Sequence, residues 1–384
     1  MKVAVLGYGT VGAGVYSMLS DAPGMEAGPV LVRPGKAVES FMVSDAALIF
    51  GDPTVDAVVE TLGGLDPAYS YGMRALEAGK HFITANKAMV AAHGLELAAL
   101  AREKGVAFLF SAACGGGVPF LHNLALSAET DRIEAVSGIL NGTTNYMLDA
   151  MQRRGLSYGN ALREAQSLGY AESDPTADVS GLDALRKMQL ACAVAFGVLP
   201  QSGMLCEGME HFTAADVEDI QSRGLVCRLL ARGSRAGESV SAYVEPVLFP
   251  RAAPESSVFT NNNMARYTGK RCGSIVLMGQ GAGRFPTASA VLRDLSAAQQ
   301  GARSMFPENC RAAEADNREA VHSYYIRTGG FAAVRLPLRS VLAQGEVVRA
   351  VTEPMSAEKM HALAQNIRKD GNDLFFAALE EELC

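Results

Sequence analysis

The first 110 residues alternate short apolar runs with longer stretches of helical periodicity. Buried strands are predicted at 2–7, 29–33, 55–60, 81–85 and 105–110, each rich in Val, Ile, Leu or Phe. Strands that alternate with helices are typical of parallel strands joined by right-handed crossovers. The pattern therefore predicts an α/β fold built on a Rossmann-type, doubly wound parallel sheet.

The pattern changes after the glycine run at 115–117. A strand is predicted at 132–140, helices at 143–154, 158–168 and 181–196, and further strands between 224 and 278. A helix follows at 287–299, and a short tail mixes strands with a helix at 356–368. We predict a nucleotide-binding domain at 1–130 completed by 281–321, a mixed α+β substrate-binding and dimerisation domain at 131–280, and a short α+β C-terminal appendage at 322–384.

Composition and charge narrow the class of partner. The 384 residues are 49% hydrophobic, and 34 basic against 41 acidic residues give a net charge of −7 without any block of like charge. No apolar run approaches the roughly 20 residues of a membrane helix, and no basic arm suggests nucleic acid. The seven cysteines form no CxxC pair, which favours reduced thiols in the cytoplasm and no structural zinc. We expect a cytoplasmic protein with a small-molecule partner.

A glycine motif directly follows the first predicted strand. Gly7, Gly9 and Gly12 form GxGxxG, and a helix starts near Thr10 and Val11. The first glycine permits a tight turn, the second admits a pyrophosphate, and the third allows close helix packing. The motif alone is weak evidence, but its place between a strand and a helix favours a dinucleotide site over an ordinary turn.

The end of the second strand bears on the choice of cofactor. An acidic residue there would hold a ribose 2′-hydroxyl, whereas basic residues suit a 2′-phosphate. The chain has Arg33 and Lys36 at this point and no carboxylate. These residues favour NADP over NAD, although two solvated basic residues on a surface loop would look the same in sequence.

Polar residues follow the third and fourth strands, at the edge where ligands bind in such sheets. Glu60, Thr61, Gly63 and Gly64 follow the third strand, and Asn86 and Lys87 follow the fourth. We expect Thr61, Gly63 and Lys87 to line the cofactor site. Lys87 ends an apolar run where a solvated lysine is unusual, so it is a candidate for catalysis, with a surface lysine as the alternative.

A second cluster of charge lies between 169 and 187. Four carboxylates (Glu172, Asp174, Asp178 and Asp183) precede Lys187, and Asp183 and Lys187 are spaced to share a helix face. Such a pair is more often an exposed salt bridge than part of a site. The neighbouring carboxylates and the apolar helix that follows favour a functional role.

Seven motifs together resemble the homoserine dehydrogenase family over about the first 320 residues. They are GYGTVG (7–12), VVETLGG (58–64), TANKAMV (84–90), GGGVP (115–119), GILNGTTNYML (138–148), GYAESDPTADVSGLDALRK (169–187) and GQGAGRFPTASAVLRDL (279–295). The resemblance implies NAD(P)-dependent interconversion of L-aspartate 4-semialdehyde and L-homoserine, in the biosynthesis of threonine, methionine and isoleucine. It also implies a homodimer.

The resemblance also implies roles for individual residues. Lys87 and Lys187 resemble two lysines at the reacting carbonyl, with Lys87 as proton donor, and Asp183 resembles the carboxylate that orients them. Lysines converging from two domains would lower each other's pKa towards neutrality. Substrate contacts are implied for Glu172, Asp178, Tyr170, Gly142, Thr143 and Thr144, and a cofactor contact for Gly281.

Two departures from the family pattern affect expectations. Ser111 stands where the family usually has a glutamate. In the family that glutamate and backbone carbonyls matching those of Cys114, Gly116 and Val118 form a sodium site. Because serine removes the only formal charge, we expect weaker sodium binding or none. The segment 322–327 resembles the first strand of an ACT domain, but Thr328-Gly329-Gly330 replaces the usual turn. The tail is therefore interpreted as a degenerate ACT-like module, and feedback inhibition by threonine is not expected.

Three rival functions fit parts of the sequence. Cys114, next to a glycine run, could be the nucleophile of an acylating aldehyde dehydrogenase. A regulatory protein that had lost catalysis would lack some of the lysines or carboxylates, all of which are present. Other amino-acid dehydrogenases on the same fold lack the GTTN and DPTAD segments together.

Overall fold

The computed structural model describes residues 1–380 and contains two large sheets. The first sheet is parallel, in the order β3-β2-β1-β4-β5-β6. Its strands are β1 (Lys2–Leu6), β2 (Glu26–Leu31), β3 (Met42–Val43), β4 (Ala57–Glu60), β5 (His81–Thr84) and β6 (Phe108–Leu109). The predicted doubly wound parallel sheet is confirmed; only the two-residue β3 had no counterpart in the sequence pattern.

Helices cover this sheet and define a crevice at one edge. They are α1 (Thr10–Leu19), α2 (Ala47–Phe50), α3 (Ala68–Glu77), α4 (Lys87–Lys104) and α5 (Phe120–Thr130). The chain leaves β1 towards β2 on one side, whereas β4 pairs with β1 on the other side. The carboxyl ends of β1 and β4 therefore form the topological switch point, where ligands of such sheets bind.

The second sheet has ten strands in the order β13-β12-β7-β10-β11-β20-β16-β18-β17, with β9 paired to β11. Its first part consists of β7 (Ile133–Ile139), β9 (Leu205–Cys206), β10 (Leu225–Ala236), β11 (Ser239–Pro250), β12 (Asn262–Gly269) and β13 (Gly273–Gln280). The accompanying helices are α6 (Gly142–Arg154), α7 (Tyr158–Ser167), α8 (Thr176–Val179), α9 (Leu182–Phe196) and α10 (Ala214–Ser222).

One long helix returns the chain from the second sheet to the first. Helix α11 (Arg284–Gln299) packs against α1, and the two approach so closely that a Cβ on Gly14 would lie 2.9 Å from the Arg284 backbone oxygen. Two small sheets complete the connections: β8 (Val198–Ser202) with β14 (Arg311–Glu314), and β15 (Val321–His322) with β19 (Met355–Ser356).

The tail adds a βαββαβ unit to the second sheet. Its elements are β16 (Tyr324–Gly329), α12 (Gly330–Ala333), β17 (Leu338–Ala343), β18 (Val347–Thr352), α13 (Ala357–Lys369) and β20 (Leu374–Leu379). The unit's strands follow the order β20-β16-β18-β17, and β20 pairs in parallel with β11 through Val247–Ala378 and Leu248–Leu379. The tail is thus continuous with the second sheet, and its first helix is a single turn.

The join between the tail and the second sheet is apolar and closely packed. Phe376 on β20 and Tyr324 on β16 are both fully buried, and their rings meet edge to face with centroids 5.7 Å apart. Val247 on β11 belongs to the same buried cluster. The cluster therefore contains side chains from both the tail and the first part of the second sheet.

No helix in the described part of the chain is both long and apolar enough to cross a membrane. The predicted domain boundaries at 130, 280 and 321 stay predictions.

Replacing Phe376 by Ala should lower the free energy of unfolding by about 3–5 kcal/mol, because it opens a cavity in this shared core. Urea denaturation of the full chain measures the change. Val334→Ala is the control, since Val334 is 82% exposed and its truncation should change stability by less than about 0.5 kcal/mol. An equally small effect of Phe376→Ala would show that the join does not stabilise the fold.

Candidate active site

A cleft of about 580 Å³ lies at the junction of the two sheets and contains most of the predicted substrate-site residues. Its walls come from the start of α4, the starts of α6 and α9, and the loop before α11. The residues of interest are Lys87, Gly116, Asn141, Gly142, Thr143, Tyr170, Glu172, Asp178, Asp183, Arg186, Lys187 and Gly281. Residues that are up to about 200 positions apart in the sequence, such as Lys87 and Gly281, therefore meet in one cleft.

The glycine loop has the geometry of a pyrophosphate site. Gly7 adopts a φ of +98°, and a Cβ on Gly12 would collide with the Gly7 carbonyl oxygen, so both positions require glycine. A Cβ on Gly9 would meet nothing within 4 Å, which leaves room for a ligand. Helix α1 has no acidic residue in its first turn, so its amino terminus can attract an anion. The loop fits a dinucleotide.

Arg33 and Lys36 lie just beyond β2, at the positions from which basic residues could bind the 2′-phosphate of NADP. Both are exposed, and the Lys36 amide donates a 3.0 Å hydrogen bond to the Arg33 carbonyl, which closes a turn. Neither side chain forms an ion pair with a described residue. Phe41 stacks on Tyr16 at 4.3 Å between centroids and anchors the end of this loop to α1.

Glu60 joins the loops after β4 and β5, a role that the sequence did not reveal. Its Oε1 accepts hydrogen bonds from the amides of Leu62 (2.5 Å) and Gly63 (3.2 Å), and Oε2 accepts one from Thr84 Oγ1 (2.6 Å). The Thr84 hydroxyl in turn accepts from the Asn86 amide at 2.9 Å. This fully buried carboxylate thus fixes the cofactor loop together with the start of α4.

Asn86 aims Lys87 into the cleft. As N-cap of α4, its Oδ1 accepts from the Met89 amide at 3.1 Å, and its Nδ2 donates to the Gly64 carbonyl at 2.6 Å. Lys87 is the first residue of the helix. The position of its backbone is therefore set by the same bonds that hold the loop after β4.

The centre of the cleft is a carboxylate shared by two lysines. Asp183 Oδ1 lies 3.1 Å from Lys87 Nζ, and Asp183 Oδ2 lies 2.7 Å from Lys187 Nζ. Lys187 Nζ also donates to the Leu140 carbonyl at 2.6 Å. Asp183 and Lys187 are buried, so their pairing is more than the exposed helix salt bridge that the spacing alone would favour.

This arrangement shifts the pKa values of the paired groups. Burial alone would raise the pKa of Asp183, but the ammonium groups of Lys187 and Lys87 outweigh it and hold this pKa below its usual range. Burial alone would lower the pKa of Lys187, but Asp183 outweighs it and raises this pKa. The expectation of lowered lysine pKa values fails for Lys187, because a carboxylate lies between the two cations.

Asn141 connects the lysine pair to the predicted substrate contacts. Its Nδ2 donates to Asp178 Oδ1 at 2.7 Å and to Asp183 Oδ2 at 2.9 Å, while its Oδ1 caps α6 by accepting from the Thr144 amide at 2.8 Å. The side chain of Thr143 donates to the Tyr170 carbonyl at 2.6 Å. The sequence motif marked Thr143 and Tyr170 but gave Asn141 no role, although an asparagine before a helix is a common cap.

The loop after β6 gives little support to a sodium site. Ser111 Oγ lies 3.8 Å from Met305 Sδ, and Asp294 Oδ2 accepts from the Ser111 amide at 2.8 Å. Of the carbonyls predicted to bind sodium, that of Val118 accepts from the Phe120 amide. Ser111 supplies no carboxylate to this loop, and no step of the reaction is assigned to a cation.

The same loop disfavours Cys114 as a nucleophile. Its side chain is fully buried, and burial raises the pKa of the thiol to about 12. Its Sγ lies 3.8 Å from the Lys187 carbonyl. A thiol in this setting packs as a small apolar group, unlike the exposed thiolate that acyl transfer needs.

Comparison with known proteins gives a consistent result. The family model described as homoserine dehydrogenase matches residues 119–296, and the one described as homoserine dehydrogenase, NAD binding domain, matches 7–111. The homoserine dehydrogenase of Synechocystis sp. is 38% identical over 77% of this chain and 72% of its own length. The chain belongs to the homoserine dehydrogenase family. The Corynebacterium glutamicum enzyme is 39% identical over 76% of this chain and 70% of its own length.

A solved structure extends the likeness into the tail. The crystal structure of a homoserine dehydrogenase from Thiobacillus denitrificans superimposes with a TM-score of 0.87 at 29% identity. It covers 99% of this chain and 98% of its own. The fold of the family is therefore shared along nearly the whole chain, including the segment that the family models leave unmatched.

The buried Asp294 should make stability depend on pH near neutrality. Burial raises the pKa of its carboxyl to about 7, against the opposing hydrogen bonds from Ser111. The folded state thus favours the neutral acid. This contribution to stability is complete below the ordinary pKa of 3.8, falls as the pH rises, and is lost once the pH exceeds about 7.

The melting temperature of the parent should therefore fall between about pH 5 and pH 7 more steeply than that of Asp294→Asn, whose amide does not titrate. Differential scanning calorimetry across this range measures both profiles. Asp21→Asn, at an exposed position, should follow the parent. Parallel profiles for the parent and Asp294→Asn would contradict the assignment.

Proposed function

We propose that the chain interconverts L-aspartate 4-semialdehyde and L-homoserine, with NADP preferred over NAD and Lys87 as the proton donor. The observation that carries this proposal is the Lys87–Asp183–Lys187 cluster, which lies in a cleft whose lining also includes Gly115 and Gly116. The dinucleotide, when bound, supplies the hydride or accepts it.

The two lysines differ in how tightly they are held. Lys187 Nζ is buried and fixed between Asp183 and the Leu140 carbonyl, and its pKa is raised by Asp183. Lys87 has a side chain that is 33% exposed, and its Nζ pairs with Asp183 and with no other described carboxylate. A fixed cation stabilises the charge that develops on the substrate oxygen, and the freer ammonium donates the proton.

Two further carboxylates that line the cleft, Asp178 and Glu172, suit the amino group of the substrate. Burial raises the pKa of Asp178, and the nearby Asp183 charge adds to the effect despite the hydrogen bond from Asn141. A substrate ammonium beside Asp178 and Glu172 would offset that penalty. Gly142, Thr143 and Tyr170 complete the predicted substrate contacts, all lining the same cleft.

Arg33 and Lys36 support the choice of NADP. They are exposed basic residues on the loop that follows β2, and both lack a carboxylate partner among the described residues. A guanidinium can bind a 2′-phosphate through two hydrogen bonds. The predicted homodimer and cytoplasmic location stay predictions.

The direct test is oxidation of NADPH and of NADH with L-aspartate 4-semialdehyde, with and without sodium. Turnover with NADPH favoured, and insensitive to sodium, is expected. Lack of turnover with either cofactor would refute the proposed reaction.

Replacing Lys87 by Ala should lower kcat by about 10²–10⁴-fold, the usual contribution of general acid catalysis, while the Kd of NADPH changes little. Steady-state kinetics and fluorescence titration measure the two quantities. Lys104→Ala is a matched control, because Lys104 lies at the far end of the same helix. A small effect on kcat would contradict this role and would favour Lys187 as the proton donor.

Arg33→Ala should weaken NADPH binding by about 10–100-fold, the loss of one or two charge-assisted hydrogen bonds, and leave NADH binding nearly unchanged. The ratio of the two Kd values is the measurement. Arg251→Ala, at an exposed arginine on another part of the chain, should leave the ratio intact. An unchanged ratio in Arg33→Ala would remove the basis for preferring NADP.

A further inference from the structure

The α-carboxylate of the proposed substrate still lacks a cationic partner in the cleft. L-aspartate 4-semialdehyde carries an aldehyde, an α-ammonium and an α-carboxylate, and the lysines and acidic residues account for the first two. Burying a carboxylate without a partner is costly, so a cleft that selects this substrate needs a cation or several donors for it. The following step rests on the proposed function.

Three side chains that line the cleft are cationic: Lys87, Arg186 and Lys187. The two lysines share the charge of Asp183 at 3.1 and 2.7 Å. Arg186 forms no ion pair and no side-chain hydrogen bond with any residue that the structure describes. Among the cations that line the cleft, Arg186 is therefore the one whose charge no described carboxylate balances.

Helix α9 explains why Arg186 lies beside the reacting centre. It is three residues after Asp183 on α9, so the two lie on neighbouring positions of one helix face. Lys187, the next residue, turns inwards and is buried, whereas Arg186 is exposed. The helix thus places one fixed cation at the centre of the cleft and one free guanidinium at its margin.

Some exposed arginines of the chain, unlike Arg186, form ion pairs with carboxylates. Arg154 binds Glu164 at 2.9 Å, and Arg223 binds Asp219 at 2.9 Å. Arg186 forms no ion pair within residues 1–380, although Glu172 and Asp174 line the same cleft. A planar guanidinium matches a carboxylate through two parallel hydrogen bonds, which a lysine cannot reproduce.

We propose that Arg186 binds the α-carboxylate of the substrate and so determines the preference for an α-amino acid over the corresponding amine. In this proposal Arg186 contributes to substrate recognition only. Hydride transfer by the dinucleotide and proton transfer by Lys87 are as proposed above.

The test compares two substrates that differ only in this group. 3-Aminopropanal has the aldehyde and amino group of the semialdehyde but lacks the carboxylate. Arg186→Gln should lower kcat/KM for the semialdehyde by about 10–100-fold and change kcat/KM for 3-aminopropanal by less than about twofold. Arg186→Lys should give an intermediate loss, since it keeps the charge but not the two-point geometry. Arg251→Gln serves as the matched control.

A binding measurement covers the case in which 3-aminopropanal reacts too slowly. Inhibition constants of L-homoserine and 3-aminopropan-1-ol against the semialdehyde should differ strongly in the parent and converge in Arg186→Gln. Equal losses for both ligands, or no loss with the semialdehyde, would overturn the assignment. Failure of the parent itself to turn over the semialdehyde would instead refute the proposed reaction.

Discussion

The structure depends on one buried carboxylate, Asp183, that holds two ammonium groups from different parts of the chain. A single buried lysine would lose its proton or destabilise the fold, because burial disfavours the charged form. Asp183 compensates Lys187 on its own helix and Lys87 on α4. The link between α4 and α9 is therefore electrostatic as well as apolar, and it brings the nucleotide domain against the second sheet at the cleft.

Neutral amide groups extend this interaction outward. Asn141 donates to Asp183 and Asp178 while capping α6, and Asn263 Nδ2 donates at 2.9 Å to the Leu140 carbonyl that also binds Lys187. In the first sheet, Glu60 holds together the loop with the predicted cofactor residues and the loop that leads to Lys87. Asp183 and Lys187 thus have their positions set by buried hydrogen bonds, which is how a site acquires fixed geometry.

The sequence predicted what depends on local pattern. The strand-turn-helix context of Gly7, Gly9 and Gly12, and the helical spacing of Asp183 and Lys187, are local, and the structure places these residues as expected. The contacts of Glu60 with Thr84 and of Asn263 with Leu140 join distant segments, so the spacing of residues along the sequence does not predict them. The pairing of β20 with β11 was missed for the same reason, because a strand sequence does not specify a remote partner.

The different surroundings of Lys87 and Lys187 favour different roles for the two lysines. Lys187 is buried between two oxygen acceptors at 2.6 and 2.7 Å, so loss of its proton would leave the buried Asp183 carboxylate facing a neutral amine. Lys87 can turn from Asp183 towards a ligand and lose only one contact of 3.1 Å. Asp183 remains ionised in either case, since Lys187 alone neutralises it. The proposed proton transfer through Lys87 would therefore leave the buried Asp183–Lys187 pair undisturbed, which is consistent with one lysine being fixed and the other partly exposed.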